Sequence, residues 1–190
     1  RIIDSINSVV DYDDNLVIAG DFCLSRDHEV VLGYRRRIAC KNVFLIFGNH
    51  DDRVACHGAF TRCFESYMFT VDGQKVFVSH YPHRSWDRAS KGAWMLYGHV
   101  HNLYKPEDDG ALMPDHQKLL AEGFASVFSK FGLRYDESIQ GELLGVCASL
   151  NGSRLTLDVG VDNTPPAAPF GTPWSMTDIR RVMLPKMGLR

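Results

Sequence analysis

Short apolar runs alternate along the chain with longer stretches in which apolar residues recur at helical spacing. The runs are rich in β-branched and aromatic side chains, which is typical of buried strands, and they cover residues 16–19, 43–47, 76–79 and 94–97. The helical stretches are residues 1–10, 27–39, 114–131 and 178–184. The alternation of strand and helix patterns predicts βαβ units.

Two further stretches carry the signal of a β-hairpin, in which a short Asp-Gly or Asn-Gly turn joins two apolar runs. The first covers residues 68–79, with its turn at Asp72-Gly73. The second covers residues 143–161, with its turn at Asn151-Gly152. We therefore expect two hairpins in addition to the βαβ units.

The composition is that of a globular protein, since 45% of the 190 residues are hydrophobic and 23% are charged, which suits one domain with a full core. The formal net charge of −2 gives no indication of nucleic acid or an anionic membrane surface as a partner. No apolar stretch approaches the roughly 20 residues that span a bilayer. The five cysteines include no Cys-x-x-Cys pair, so we expect reduced thiols in a cytoplasmic protein.

Polar side chains of the kinds that bind metals follow each of the four predicted strands. Parallel strands of an α/β sheet place such endings at one edge, where binding sites lie. On an extended chain His99 and His101 would point to the same side, and imidazole suits many divalent metals. The four endings are Gly20-Asp21, Gly48-Asn49-His50-Asp51, His80 and Gly98-His99-Val100-His101.

These ordered motifs resemble those of the calcineurin-like metallophosphoesterases. The resemblance covers roughly residues 1–105 and the strand near Asp158 to Asp162. It implies an α/β fold in which two mixed β-sheets form a sandwich flanked by helices. We expect one such domain over residues 1–190, with an inserted helical segment at about 102–141.

The resemblance also implies a two-metal phosphoester hydrolase site and assigns its ligands. Asp21 would bridge the two cations, because a bridge between two positive ions needs a negative charge. Asn49, His80 and His99 would complete the shell of one metal, and His101 would bind the other. Such ligands suit Mn, Fe, Zn or Ni, and the resemblance favours manganese.

Four further residues are candidates for contact with substrate. By resemblance His50 is the general acid or the histidine that contacts the phosphate, and its neighbour Asp51 would orient it. Arg84 offers a planar fork that fits a phosphate, and His83 lies beside it. A surface arginine explains Arg84 equally well.

The sequence departs from the family pattern before Asp21. The family opens with an Asp-x-His motif on its first strand, and no such motif stands between Arg1 and Asp21. We expect that strand to precede Arg1, so that the 190 residues alone hold one metal well and the second weakly or not at all.

Two functions remain open. The first is hydrolysis of a small phosphomonoester or phosphodiester. The second is a non-catalytic member of the same fold that binds a metal or a partner through the inserted helices. The predicted helix at 114–131 is the candidate surface for an oligomer in either case.

Overall fold

The structure, a computed structural model, describes residues 1–83, 85–101, 114–152 and 155–187. The chain divides into two compact units. One unit comprises Arg1–Leu103 and Leu155–Arg190, and the other comprises Tyr104–Arg154. The larger unit has two β-sheets flanked by helices, so the predicted α/β class with two sheets is confirmed.

All four strands predicted from the apolar runs are present in the structure. The strands are β1 (Asn15–Ile18), β2 (Asn42–Ile46), β3 (Arg62–Phe64), β4 (Ser66–Val71), β5 (Gln74–Ser79), β6 (Trp94–Tyr97) and β7 (Thr156–Asp158). The helices are α1 (Ile2–Asn7), α2 (His28–Arg36), α3 (Arg53–Cys56), α4 (Pro114–Lys130), α5 (Glu137–Gly152) and α6 (Met176–Lys186).

The order and direction of the strands bring the carboxyl ends of β1, β2 and β3 to one edge of their sheet, and those of β5, β6 and β7 to one edge of the other. In the described residues, one sheet has the order β1-β2-β3 and is parallel throughout. The other has the order β4-β5-β6-β7, in which β4 and β5 are antiparallel and the remaining pairs are parallel. The loops after β1 and β2 therefore leave from one edge of the first sheet. The loops after β5 and β6 leave from one edge of the second sheet.

An apolar core joins the two sheets face to face. Side chains alternate across a strand, so Val43 and Leu45 of β2 pack towards the helices, while Ile46 packs against the other sheet. There Ile46 belongs to one buried cluster with Val78 and Leu96. Each such aliphatic side chain contributes roughly 1.5–3 kcal/mol when fully buried, so this core fixes the distance between the two sheets.

The predicted hairpin at residues 68–79 is confirmed. Strands β4 and β5 pair in register from Ser66 opposite Ser79 to Val71 opposite Gln74. The two turn residues both have positive φ, 47° at Asp72 and 80° at Gly73. A tight two-residue turn between strands requires this backbone, which Asp-Gly adopts readily.

The predicted hairpin at residues 143–161 is wrong in its first half. Residues 137–152 form the helix α5, and only β7 remains from the expected second strand. The segment includes three glycines as well as three leucines and two glutamates, so helix propensity alone does not explain it. Packing of α5 against α4 outweighs the turn signal of Asn151-Gly152. Strand β3 lies in a segment that has no alternating pattern.

The described part of the smaller unit contains a pair of packed helices, α4 and α5. The helix predicted at 114–131 is confirmed as α4. The ring of Tyr135 packs against Phe128, with centroids 5.2 Å apart, and its hydroxyl donates to the Ala121 carbonyl at 3.2 Å. The described part of the chain contains no helix with the length and apolar character needed to cross a membrane.

Candidate metal centre

Two glycines allow the loops after β1 and β2 to approach each other closely. Gly20 has a φ of 96°, and a Cβ at this position would lie 2.2 Å from His80 Nδ1. A Cβ on Gly48 would lie 2.1 Å from Asp21 Oδ1 and 2.5 Å from Asp21 N. Both contacts are shorter than any non-bonded approach, so only glycine fits beside these candidate ligands.

Replacing Gly48 with alanine should displace Asp21 and lower metal affinity. Changes to groups that orient metal ligands typically cost about 10–100-fold in affinity, and we expect a loss in that range, measured by titration of the metal-free protein with Mn²⁺. Gly33→Ala is the matched control, because a Cβ on this α2 glycine meets no atom within 4 Å. An unchanged Mn²⁺ affinity for Gly48→Ala would show that the two loops separate without harm to the site.

His80 has its side chain fixed by a backbone carbonyl. It is buried, with 2% of its surface exposed, and its Nδ1 lies 2.8 Å from the carbonyl oxygen of Ala19. Because a carbonyl oxygen only accepts hydrogen bonds, Nδ1 is the nitrogen that carries the hydrogen. The other ring nitrogen, Nε2, therefore offers its lone pair when the imidazole is neutral.

Three candidate ligand atoms surround that nitrogen. Asn49 Oδ1 lies 3.0 Å from His80 Nε2, His99 Nδ1 lies 3.2 Å away and Asp21 Oδ2 lies 3.3 Å away. With its hydrogen on Nδ1, His80 Nε2 can only accept a hydrogen bond, and neither Asn49 Oδ1 nor Asp21 Oδ2 has a hydrogen to donate, whereas a cation held between these atoms would attract all four. Ligand atoms at about 2.0–2.2 Å from one ion lie about 3.0–3.5 Å apart, which these distances match.

The chemistry of this group fits a divalent transition metal. It combines a carboxylate oxygen, an amide oxygen and two imidazole nitrogens, a set that suits such ions. The ligand atoms of Asp21, His80 and His99 all lie within 4.8 Å of one another. The structure thus brings Asp21, Asn49, His80 and His99 to one point, and we call these four residues the metal centre.

His101 lies outside the metal centre. Strand β6 ends at Tyr97, and both His99 and His101 have positive φ, 68° and 49°. The backbone is therefore turned and not extended as expected, and among the described residues His101 does not belong to the group of candidate ligands formed by Asp21, His80 and His99. His101 Nδ1 instead contacts Asp162 Oδ2 at 2.7 Å.

His50 and Asp51 occupy different environments although they are adjacent. The His50 side chain is exposed, and its backbone N–H donates to Asp21 Oδ1 at 2.9 Å. Asp51 is buried, with 7% exposed, and its carboxylate accepts hydrogen bonds from the backbone of the loops after β1 and β2. Among the described residues no hydrogen bond joins the Asp51 carboxylate to the His50 ring, so the expected orienting contact is not made there.

A comparison with known protein families identifies the superfamily of this chain. The family described as the calcineurin-like phosphoesterase superfamily domain matches residues 1–114. The chain belongs to the calcineurin-like phosphoesterase superfamily. The resemblance seen in the sequence motifs is confirmed, and the match includes the loops that carry Asp21, Asn49, His80 and His99.

Other comparisons add little to the superfamily assignment. No curated protein matches the chain. A solved structure, "The Crystal Structure of the Protein of Unknown Function AQ665 from Aquifex aeolicus", is similar with 19% sequence identity and a TM-score of 0.45. The match covers 53% of this chain and 63% of that chain. The present chain therefore spans less than two thirds of the length of that structure.

The two predicted substrate contacts beyond β5 are not both described. The Nε2 of His83 lies 3.0 Å from Ser79 Oγ, and its ring packs against Phe77 with centroids 5.5 Å apart. These contacts hold His83 against β5 and not in the metal centre of this superfamily member. Arg84 lies outside the described residues, and its contact with phosphate stays a prediction.

Two residues that accompany the histidines were not among the predicted site residues. The exposed ring of Tyr81 lies 4.5 Å from the His99 ring and 5.0 Å from the His80 ring, measured between centroids. Tyr81 therefore lies beside two residues of the metal centre. The only indication of this in the sequence is that Tyr81 directly follows His80. Asp162, the partner of His101, follows β7 after a turn, so its distance along the chain concealed the pairing.

Two thiols, buried Cys56 and half-buried Cys63, do not belong to the candidate ligand group of the described residues. Burial, and after it the negative charge of Asp51, raise the pKa of the Cys56 thiol to about 12. Burial and Asp51 also raise the pKa of Cys63. Because metals bind the thiolate and not the thiol, both side chains remain neutral parts of the core in this superfamily member.

Proposed function

We propose that this chain is a metal-dependent hydrolase of a small phosphomonoester or phosphodiester. The observation that supports this most is the group of three ligand atoms within 3.3 Å of His80 Nε2. Hydrogen bonds alone do not explain so many lone-pair atoms around one nitrogen, whereas a shared cation does. Membership of the superfamily supports phosphoester hydrolysis as the use of that cation.

The proposed site takes two divalent cations, with manganese the favoured metal, and these residues alone would hold one of them well. Asp21, Asn49, His80 and His99 would hold that cation. Asp21 and His101 would contribute to the second, which needs the ligands expected before Arg1. The contact of His101 Nδ1 with Asp162 supports this role, because ligating histidines usually donate their other nitrogen to a carboxylate or a carbonyl. When bound, the cations supply charge neutralisation and acidify water.

His50 acts on the substrate in this proposal. Its ring is exposed, and its backbone N–H is bonded to the ligand Asp21, which ties its position to the metal centre. A protonated imidazole there hydrogen-bonds a phosphoryl oxygen or gives its proton to the leaving alkoxide. The proposal needs no contact from Asp51 to His50.

The proposal also covers the cellular compartment, the substrate class and the oligomeric state of the protein. Cys23, Cys40, Cys56 and Cys63 are free in the described part of the chain, which supports a reducing compartment such as the cytoplasm. The net charge of −2 gives no support for nucleic acid as substrate. The proposed partner of the α4 helix is a second copy of the chain. A measurement of the oligomeric state in solution tests this.

The test is hydrolysis by metal-free protein reconstituted separately with Mn²⁺, Zn²⁺, Fe²⁺ and Ni²⁺. Each form is assayed with p-nitrophenyl phosphate and with bis-p-nitrophenyl phosphate, and its metal content is measured in parallel. We expect hydrolysis only with metal, and the ratio of the two rates distinguishes a phosphatase from a phosphodiesterase. Bound metal without turnover of either ester contradicts the proposal and favours the non-catalytic alternative.

A further inference from the structure

The carboxylate of Asp51 receives four backbone N–H groups. Its Oδ2 accepts from Asp21 N at 2.8 Å and from Gly48 N at 2.9 Å. Its Oδ1 accepts from Phe22 N at 2.8 Å and from Cys23 N at 3.3 Å. All four donors belong to the two loops that carry Asp21 and Asn49.

Each oxygen of Asp51 performs a different task. Oδ2 connects the loop after β1 to the loop after β2, because one of its donors lies in each. Oδ1 gathers two successive N–H groups of the first loop. Hydrogen bonds to an ionised carboxylate are about twice as strong as neutral ones, and the 7% exposure of Asp51 limits their competition with water.

The backbone that Asp51 holds is a costly one. Gly20 and Asp21 both have positive φ, 96° and 56°, and a non-glycine residue in this region costs of order 1–3 kcal/mol unless its surroundings impose it. This conformation turns the N–H groups of residues 21–23 towards one point, where they form a concave site for an anion. The Asp51 carboxylate is the anion in that site.

We propose that Asp51 is a positioning residue that sets metal affinity by holding Asp21 and Asn49 in ligating geometry. It acts on the ligands and not on His50. The chemistry demands a carboxylate, because all four contacts come from donors. An asparagine would turn its NH₂ group towards two of those N–H groups, so half of the contacts would be lost.

The test compares Asp51→Asn with the wild type in calorimetric titration of the metal-free protein with Mn²⁺. The inference rests on the proposed metal centre, but Mn²⁺ binding is measured without substrate. We expect Mn²⁺ affinity to fall by about 10–100-fold, the usual effect of removing a group that orients ligands. Turnover should recover towards the wild-type value at saturating Mn²⁺.

Asp52→Asn is the matched control. It removes the same charge one residue away, where the side chain caps α3 by accepting from Val54 N and Ala55 N at 2.9 Å. Asparagine caps helices as well as aspartate does, so the fold and the Mn²⁺ affinity should remain. An equal loss in Asp52→Asn would mean that charge, and not the position of the carboxylate, sets the affinity, and would overturn the inference.

A second variant keeps the inference testable where Asp51→Asn does not fold. Asp51→Glu keeps the charge but moves the carboxylate by one methylene group, so folded protein with reduced Mn²⁺ affinity supports the inference. A folded Asp51 variant with wild-type Mn²⁺ affinity would overturn the inference if two further results hold. Its turnover must be lowered at saturating Mn²⁺, and adding His50→Ala must lower that turnover no further. Wild-type protein that binds no Mn²⁺ contradicts the proposed function instead.

Discussion

Asp21→Asn should abolish metal-dependent phosphoester hydrolysis and lower the metal content, while the fold remains intact. Asp21 is the sole anionic member of the described metal centre, and asparagine removes that charge. The new amide NH₂ can also occupy the place of Asp21 Oδ2, 3.3 Å from His80 Nε2, and donate to that nitrogen. A hydrogen bond would then take the position that the cation needs.

The fold should tolerate this change for a specific reason. Asp21 has a φ of 56°, and asparagine is among the residues that adopt this backbone most easily. The remaining oxygen of the amide can still accept from the backbone N–H of His50, as Asp21 Oδ1 does at 2.9 Å. Circular dichroism and thermal unfolding of the metal-free proteins should therefore coincide.

Asp72→Asn provides the matched control for this experiment. Asp72 also has positive φ, 47°, but it lies in the turn between β4 and β5 and pairs with Arg180 at the surface. The same substitution in the same backbone conformation should leave turnover and metal content unchanged. Wild-type hydrolysis by Asp21→Asn would remove Asp21 from the site.

The convergence of the metal centre could be predicted because it depends on strand direction. Asp21 and Asn49 follow β1 and β2, which are parallel neighbours, and His80 and His99 follow β5 and β6, which are parallel neighbours in the other sheet. Short apolar runs announce such strands in the sequence, and parallel pairing brings their endings to one edge. The core around Ile46 then joins the two sheets.

The contacts of the Asp51 carboxylate and of His101 with Asp162 could not be predicted, because both depend on how loops turn after the strands end. The residue type of Asp51 fits a partner for His50 as well as a partner for backbone N–H groups. The four backbone N–H groups that reach the Asp51 carboxylate in the folded loops decide between them. The positive φ of both His99 and His101 likewise shows a turned backbone where an extended one was expected.

The error at residues 143–161 has a different physical origin. An apolar run, an Asn-Gly pair and a second apolar run match the hairpin signal, but a turn signal only describes local conformation. Residues 137–152 form α5, which packs against α4, and a helix gains from such packing more than from propensity alone. Packing against α4, the preceding helix in the chain, therefore outweighed the local pattern.

His50→Ala should lower turnover by about 10²–10⁴-fold, the usual contribution of a positioned general acid, while Mn²⁺ affinity changes little. The separation of the two effects follows from which atoms of His50 contact the metal centre. Its backbone N–H donates to Asp21 Oδ1, and alanine retains that N–H. The exposed ring, which the substitution removes, makes no described hydrogen bond to Asp21, Asn49, His80 or His99.

The measurement pairs steady-state turnover at saturating Mn²⁺ with a Mn²⁺ titration of the metal-free variant. His57→Ala is the control, since it removes another exposed histidine that ends α3 and has no part in the metal centre. If the acid role is right, esters with good leaving groups should lose less turnover in His50→Ala than esters of alkyl alcohols, because a good leaving group needs little protonation. A fall in metal stoichiometry as large as the fall in activity would make His50 a ligand and would refute its role as the acid.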